Sequence, residues 1–307
     1  MFVLEKHKTL KSLAVLAIGV FHWGLPFTIR ACHAAEPSDP KAWTYLDNGH
    51  IRLGVKTSSG AGIGYFAARG SKRNLLNHYD HGRLVQQSYY GNADGSDWNG
   101  KAWRWNPVQG GDYKGEAAKV LALEAKATQL YSKTQARHWA ECRDIPEVIM
   151  EQWIEFYGAL AHVRCRMTYH GTQRHEVADQ ETPAVFVNPE LKTLLLYDGE
   201  HPWSGGKLSR AQPGWPGEQR RMTEGWAAYV DQHDAGLGVL VPDSDRLTCY
   251  RFGTGDDDVS ACSYFAPLTR LAIEPELEFE YEYYLTAGSI AEIRERFGKI
   301  QSKRTSK

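Results

Sequence analysis

The sequence predicts an all-β protein, an antiparallel β-sandwich closed by one short C-terminal helix, and three observations carry that expectation. Strand-length stretches with apolar and polar residues in alternation recur about every 8 to 14 residues, separated by Gly, Asn, Asp and Pro. A complete helical signature occurs at residues 289–299, where Ser289 is a good N-cap and Glu292 follows as the other half of a capping box. Residues 147–170 read as a hairpin in which one register satisfies both faces. With Gly158-Ala159 as its two-residue turn, Met150 falls opposite Met167 and Ile154 opposite Val163 on the apolar face. The same register sets Glu151 against Arg166, Trp153 against Arg164 and Glu155 against His162.

The first 35 residues have the layout of an export signal peptide. Lys6, Lys8 and Lys11 precede a mostly apolar run at 12–27, and small residues follow at 31–35. His22, Gly24 and Pro26 interrupt the run, which is shorter than the roughly 20 residues that cross a bilayer. No stable membrane span is therefore expected after processing, and the expected location is secreted or periplasmic. Residues 36–300 are expected to form a single β-sandwich domain and residues 301–307 a disordered basic tail.

Within that domain, residues 43–57 read as two short strands around an Asp47-Asn48-Gly49 turn. Gly60, Gly62 and Gly64 open no helix, so they read as a bend between strands rather than a phosphate loop. Residues 120–132 read as a strand pair or one long irregular strand, 142–146 as a loop, 173–188 as a polar loop and 191–197 as a buried strand. Residues 200–218, with Trp203 and Trp215, read as a long loop rimming or covering a cleft. Hairpins follow at 225–241 and 247–265. The acidic turn of the second, at 253–258, lacks calcium-motif spacing and reads as solvated. Leu277, Phe279 and Tyr281 alternate with Glu278, Glu280 and Glu282 along a last strand.

A net charge of −1 and a pI near 6.9 leave no electrostatic footprint for nucleic acid. Cys142, Cys165, Cys249 and Cys262 lack the close pairs of a zinc site; a Cys249–Cys262 bridge and buried free thiols both remain open. No metal or cofactor is implied. Ten Trp and sixteen Tyr are the loudest signal, because an aromatic face is costly to expose unless something stacks on it.

Residues 74–112 concentrate the candidates. Asp80, His81, Arg83 and Tyr90 are the expected catalytic groups, with Glu200 a distant second carboxylate. Asp80 beside Arg83 would serve as a base or nucleophile if the cation holds it ionised, or as an acid if buried apart. The same two residues would equally form a structural ion pair across a turn closed by Gly82. Asn77, His78, Gln87, Tyr89, Gln109 and Asp112 are expected to bind hydroxyls, with Gln86, Asp97 and Asn106 nearby. Trp98, Trp103 and Trp105 offer ring faces, the last two on one strand face, and His201 and Trp203 add to them from the long loop. Rings beside amides and carboxylates suit a glycan. Glu151 and Glu155 are set aside: four residues along a strand is about 13 Å, beyond either carboxylate spacing of a glycosidase.

Three features together resemble the galactose-mutarotase-like supersandwich group of carbohydrate-active proteins. They are the DNGHIRLG strand at 47–54 with its glycines and Asn74 to Asn77, the near-pure β stretch left when 35 of 307 residues are removed, and the EFEYEYYLTAG ending at 278–288 before a short helix. The resemblance implies a sandwich that binds sugar across one sheet. The mutarotase catalytic pattern is not matched: His201-Pro202-Trp203 is only faintly similar to its H-P-Y-F, and no base can be assigned among residues 276–282. The expectation is an exported enzyme that cleaves a polysaccharide or oligosaccharide, hydrolysis being favoured over β-elimination because no basic cluster for a uronate stands out. A non-catalytic glycan-binding module and a mutarotase-type epimerase are the alternatives.

Overall fold

The structure, a computed structural model, describes residues 42–253 and 258–306. The expected signal peptide, and Asp256 and Asp257 of the acidic turn, lie outside the described residues. The chain opens with β1 (Trp43–Asp47) and β2 (Ile51–Lys56), paired around the expected turn, where Asn48 Oδ1 accepts from the amides of His50 and Ile51. β3 (Gly62–Ala68) and β4 (Val85–Ser88) follow. The two-residue β5 (Asp97–Trp98) and β6 (Lys101–Ala102) form a separate ribbon. Then come β7 (Pro107–Val108), β8 (Lys119–Ala125) and β9 (Gln129–His138), the last two resolving the 120–132 alternative as a strand pair.

β10 (Asp144–Tyr157) and β11 (Leu160–Tyr169) are the long hairpin, and every cross-strand pair expected for it is present. β10 begins at Asp144, so the loop expected at 142–146 is shorter than read. Next are β12 (His175–Val187), β13 (Thr193–Leu196), β14 (Ser209–Ala211), β15 (Glu218–Arg221), β16 (Trp226–Val230) and β17 (Ala235–Leu240). β18 (Arg246–Phe252), β19 (Cys262–Ile273), β20 (Leu277–Ser289) and α1 (Ile290–Thr305) complete the chain.

The ladders build two antiparallel layers. One runs β8-β9-β10-β11-β20-β17-β16-β13-β14. The other runs β1-β2-β3-β4-β12-β19-β18-β15. β7 joins them at one side by pairing with both β4 and β9. Between the layers lies the main core, where Leu53, Ile63, Val85, Val185 and Phe265 of the second meet Ile154, Val163, Tyr229, Val239 and Leu285 of the first. Strand alternation then forces the other face of each strand outward.

Two expectations are corrected and one open alternative is decided. Residues 173–188 are not a loop: β12 sits between β4 and β19, its backbone groups paired on both sides. Its polar side chains hid it, yet Gln180 and Thr182 are fully buried and hydrogen-bonded, Gln180 to the backbone of Tyr90 and Leu271 and Thr182 to Thr269. The helix does not end at Lys299 with a frayed tail. It carries the expected capping box but continues to Thr305, because Ile300 packs on the cluster of Trp226, Ile293 and Phe297 and Arg304 pairs with Asp243 and Glu282. The described cysteines are all free thiols; the register sets Cys249 opposite Phe265 and Cys262 opposite Phe252, which rules out the bridge.

Candidate functional site

The outer face of the second layer carries a cleft of about 310 Å³. Its floor comes from alternating positions: Gln86 and Ser88 on β4, Ala184 and Phe186 on β12, Thr248 and Tyr250 on β18, and Tyr264 on β19. The alternate residues Val85, Val185, Cys249 and Phe265 face the core. Glu181 also reaches this floor because the β12–β19 register shifts between Glu181 and Val185. An irregularity of that kind re-aims a side chain, and here it puts residues 181 and 184, of opposite parity, on one face.

Aromatic rings flank the cleft on both sides. On one side Trp98 meets Trp103 at 4.9 Å and Trp139 at 5.8 Å, both edge to face. On the other, Tyr250 stacks on Tyr264 at 4.4 Å, Phe186 lies 4.6 Å from Tyr264, and Trp215 meets Tyr250 edge-on at 4.9 Å. Trp139 can lie across the Asp80–Arg83 turn because residue 82 is glycine: a Cβ there would stand 2.5 Å from its ring.

Glu181 is the group with chemistry. Both neighbouring phenols donate to its Oε1, Tyr90 at 2.9 Å and Tyr264 at closer range. Oε2 takes no donor from the described residues, so it is the valence left for a ligand. Burial among the rings pushes the Glu181 carboxyl above its ordinary range, and the two phenol donors offset this only in part. The phenols of Tyr90 and Tyr264 are raised well above theirs, first by burial and then by the Glu181 charge, so they remain donors. Gln180 fixes Tyr90 by accepting from its backbone N–H at 2.7 Å and donating to its carbonyl at 3.0 Å.

Of the expected catalytic residues, Asp80, Arg83 and Tyr90 line this cleft, and so do Trp98 and Trp103 of the expected binding set. Asp80 is bound into its own turn: Oδ1 accepts from the amides of Gly82 and Arg83, and Oδ2 from the Arg83 guanidinium at 2.7 Å. The structural ion pair is therefore present. His81 stands apart as a clamp, Nδ1 on Ser59 Oγ at 2.7 Å and Nε2 on the Gly115 carbonyl at 2.9 Å. Glu200 is exposed and meets Arg221, and His201 is exposed beside it.

The remaining candidates serve the framework. Asn77 ties to the Ala261 carbonyl and His78 packs edge-on against Trp43; burial and then Lys56 lower the His78 pKa. Gln87 holds Tyr89 and the Glu151 carbonyl, and Gln109 holds Gln87 and Gly60. Asp112 is buried against Arg137. Trp105 does not share a face with Trp103, since residues 103–106 are not a strand; it is buried and stacked on His175 at 4.0 Å. Trp203 packs toward α1, so the 200–218 loop divides, with Trp215 alone of its tryptophans at the cleft.

Glu181, Trp139, Phe186, Tyr250 and Tyr264 also line the cleft, although the sequence does not single them out. One signal was available: Gln86, Ser88 and Tyr90 alternate with Val85, Gln87 and Tyr89, which marks one polar strand face. Asp94, His138 and Glu141 set one donor atom each within 4.8 Å. His138 Nδ1 accepts from the amides of Ala140 and Glu141, so Nε2 carries the hydrogen and donates to Asp94 at 2.8 Å. With both nitrogens used, the cluster is a tie at the base of the turn bearing Trp139, not a metal centre.

Among the described residues, two antiparallel layers closed by one helix form a fold similar to that of galactose mutarotase-like proteins. The galactose mutarotase-like protein of Lactobacillus casei ATCC 334 matches with a TM-score of 0.52 at 11% identity, over 80% of this chain and 99% of that one. A protein of Synechocystis sp. PCC 6803 gives 0.51 at 14% identity, over 80% and 96%. The galactose mutarotase related enzyme of Lactobacillus acidophilus gives 0.50 at 10% identity, over 80% and 97%. No protein-family model matches the sequence, and no curated protein matches it. Identities this low carry the fold alone.

Proposed function

We propose that the protein is an exported carbohydrate-active enzyme that holds one sugar residue of an oligosaccharide or polysaccharide in the aromatic cleft and cleaves the glycan by hydrolysis. The observation that carries this reading is Glu181, a carboxyl in the lining of a ring-walled cleft, with one oxygen held by two phenols and the other taking no donor from the described residues. A carboxyl whose pKa is raised keeps its proton toward neutral pH and can act as a general acid. Glu181 would protonate the glycosidic oxygen as the anomeric C–O bond breaks; water would then add to the anomeric carbon and release its proton through solvent, and the Glu181 carboxylate would be reprotonated.

Asp80 and Arg83 would stand at the cleft wall as a charge-balanced pair and take no part in proton transfer. Three of the roughly four acceptor positions on Asp80 are already occupied. β-Elimination fits less well. It needs a base and a free cation for a uronate, whereas the cleft phenols hold their protons and Arg83 is already paired.

A glycan-binding module without turnover is the second reading, favoured by the same saturation of Asp80. The two separate on Glu181→Gln, assayed by reducing-end release across a glycan panel. The expected result is wild-type turnover, and in the variant a loss of about 10² to 10⁴ in kcat with binding retained. Glycan binding by the wild type without any product leaves the binding module standing and removes the enzyme. Export is tested by N-terminal sequencing of the processed protein, expected to begin near residue 36.

A further inference from the structure

We propose that the cleft continues outward onto a second sugar-binding subsite formed by Tyr79, Phe252 and Trp215, so that the ligand is a chain of sugar residues rather than a free monosaccharide. This rests on the reading of the cleft as a sugar site and adds a place for the neighbouring residue of the same chain.

The observation is an unusual concentration of exposed rings. Tyr79 is 52% exposed, Trp215 57% and Phe252 37%, and these three are joined. The Arg83 guanidinium lies 5.0 Å from the Tyr79 ring centre and 5.7 Å from that of Phe252. Phe252 meets Trp215 at 5.6 Å, interplanar angle 75°, and Trp215 meets Tyr250 at 4.9 Å. Arg83, Trp215 and Tyr250 line the cleft, whereas Tyr79 and Phe252 stand outside it.

The strip is thus continuous with the cleft. β18 explains why: Thr248, Tyr250 and Phe252 alternate onto the outer face, and the last carries the ring line past the cleft edge. Exposed rings held edge to face leave faces to solvent, an arrangement that is unfavourable unless a ligand covers it. The chemistry identifies the occupant. Of the polar groups set among the rings, Asp80 and Arg83 pair with each other. Flat apolar faces beside a charge-balanced donor–acceptor pair fit an uncharged pyranose, with its C–H face on a ring and its hydroxyls at the edge.

Titration calorimetry on the full chain tests this, using galactose, glucose and mannose and their oligosaccharides of increasing length. The wild type is expected to bind the longer members of the recognised series about tenfold more tightly than the monosaccharide. The Tyr79→Ala/Phe252→Ala double variant is expected to lose that increment while monosaccharide affinity stays within about twofold. Trp215→Ala, on both cleft and strip, is expected to weaken every member. Monosaccharide binding with no gain from length overturns the outer subsite and leaves the cleft reading intact. Absence of binding by any sugar removes the cleft reading, and the subsite with it. A double variant that keeps the increment but changes sedimentation identifies the strip as a contact between copies of the chain and also overturns the proposal.

Discussion

Replacing Glu181 by Gln probes the most consequential side chain without moving it. The amide oxygen still accepts from Tyr90 and Tyr264, so the only property removed is the ability to ionise. In the unfolded chain the carboxyl titrates near 4.5, and burial raises it in the fold. Below 4.5 both states hold the proton, and the group makes no pH-dependent difference. Between 4.5 and the raised value the native state keeps a proton that the unfolded state has released, so wild-type stability falls as pH rises. Above the raised value the deficit is constant, at about 1.4 kcal/mol for each unit of elevation. Urea denaturation of both proteins between about pH 4 and pH 8 reads this directly. The variant should gain on the wild type through the window above 4.5 and then hold its lead. A difference independent of pH, or one that shifts in the wild type's favour as pH rises, would refute the claim that burial outweighs the two phenol donors. Activity should also fall with rising pH: a general acid is lost as it deprotonates, so turnover should drop on the alkaline side of the raised pKa.

Arg137→Ala leaves Asp112, whose side chain is fully buried, without its cation, and should lower stability by about 3 to 5 kcal/mol in urea denaturation; a loss below about 1 kcal/mol would mean that the amides of Lys114 and Glu116 satisfy Asp112 unaided. Gly110→Ala would place a Cβ 2.0 Å from the His81 carbonyl oxygen, a backbone atom with no side-chain freedom, so little soluble folded protein should accumulate, and normal yield with an unchanged circular dichroism spectrum would contradict the geometry. Ser289→Ala removes one half of the capping box on α1 and should cost about 1 kcal/mol, read as a lower thermal midpoint.

How much of the site was legible can be traced residue by residue. Asp80, Arg83, Tyr90, Trp98 and Trp103 stand out in the sequence for the density of polar and ring side chains around them, and they line one cleft. Trp105, Gln87 and Gln109 stand out by the same criterion, yet they are buried structural groups. Side-chain type records what a residue can do, but not which way the backbone points it. Trp103 and Trp105 are two positions apart, yet without a strand between them the expected parity does not hold. Glu181 was invisible for the converse reason. Its strand is polar, and the shift in register that turns it to the cleft depends on ladders with β4 and β19, far away in the chain.

By itself the sequence determined whatever depends on neighbours along the chain. The all-β class, the hairpin register at 150–167, the turn at Asp47–Gly49 and the capping box at Ser289 all follow from period-two alternation and local hydrogen bonding over a few residues. Only the tertiary structure decided that Glu181 of β12, Tyr90 beyond β4 and Tyr264 of β19 meet at one oxygen atom, and that Arg83 and Phe252 touch across 169 positions of sequence. Those meetings are set by which strands lie side by side in a layer. They arise from burying the shared core between the two layers, a free energy distributed over every strand and written in no single segment.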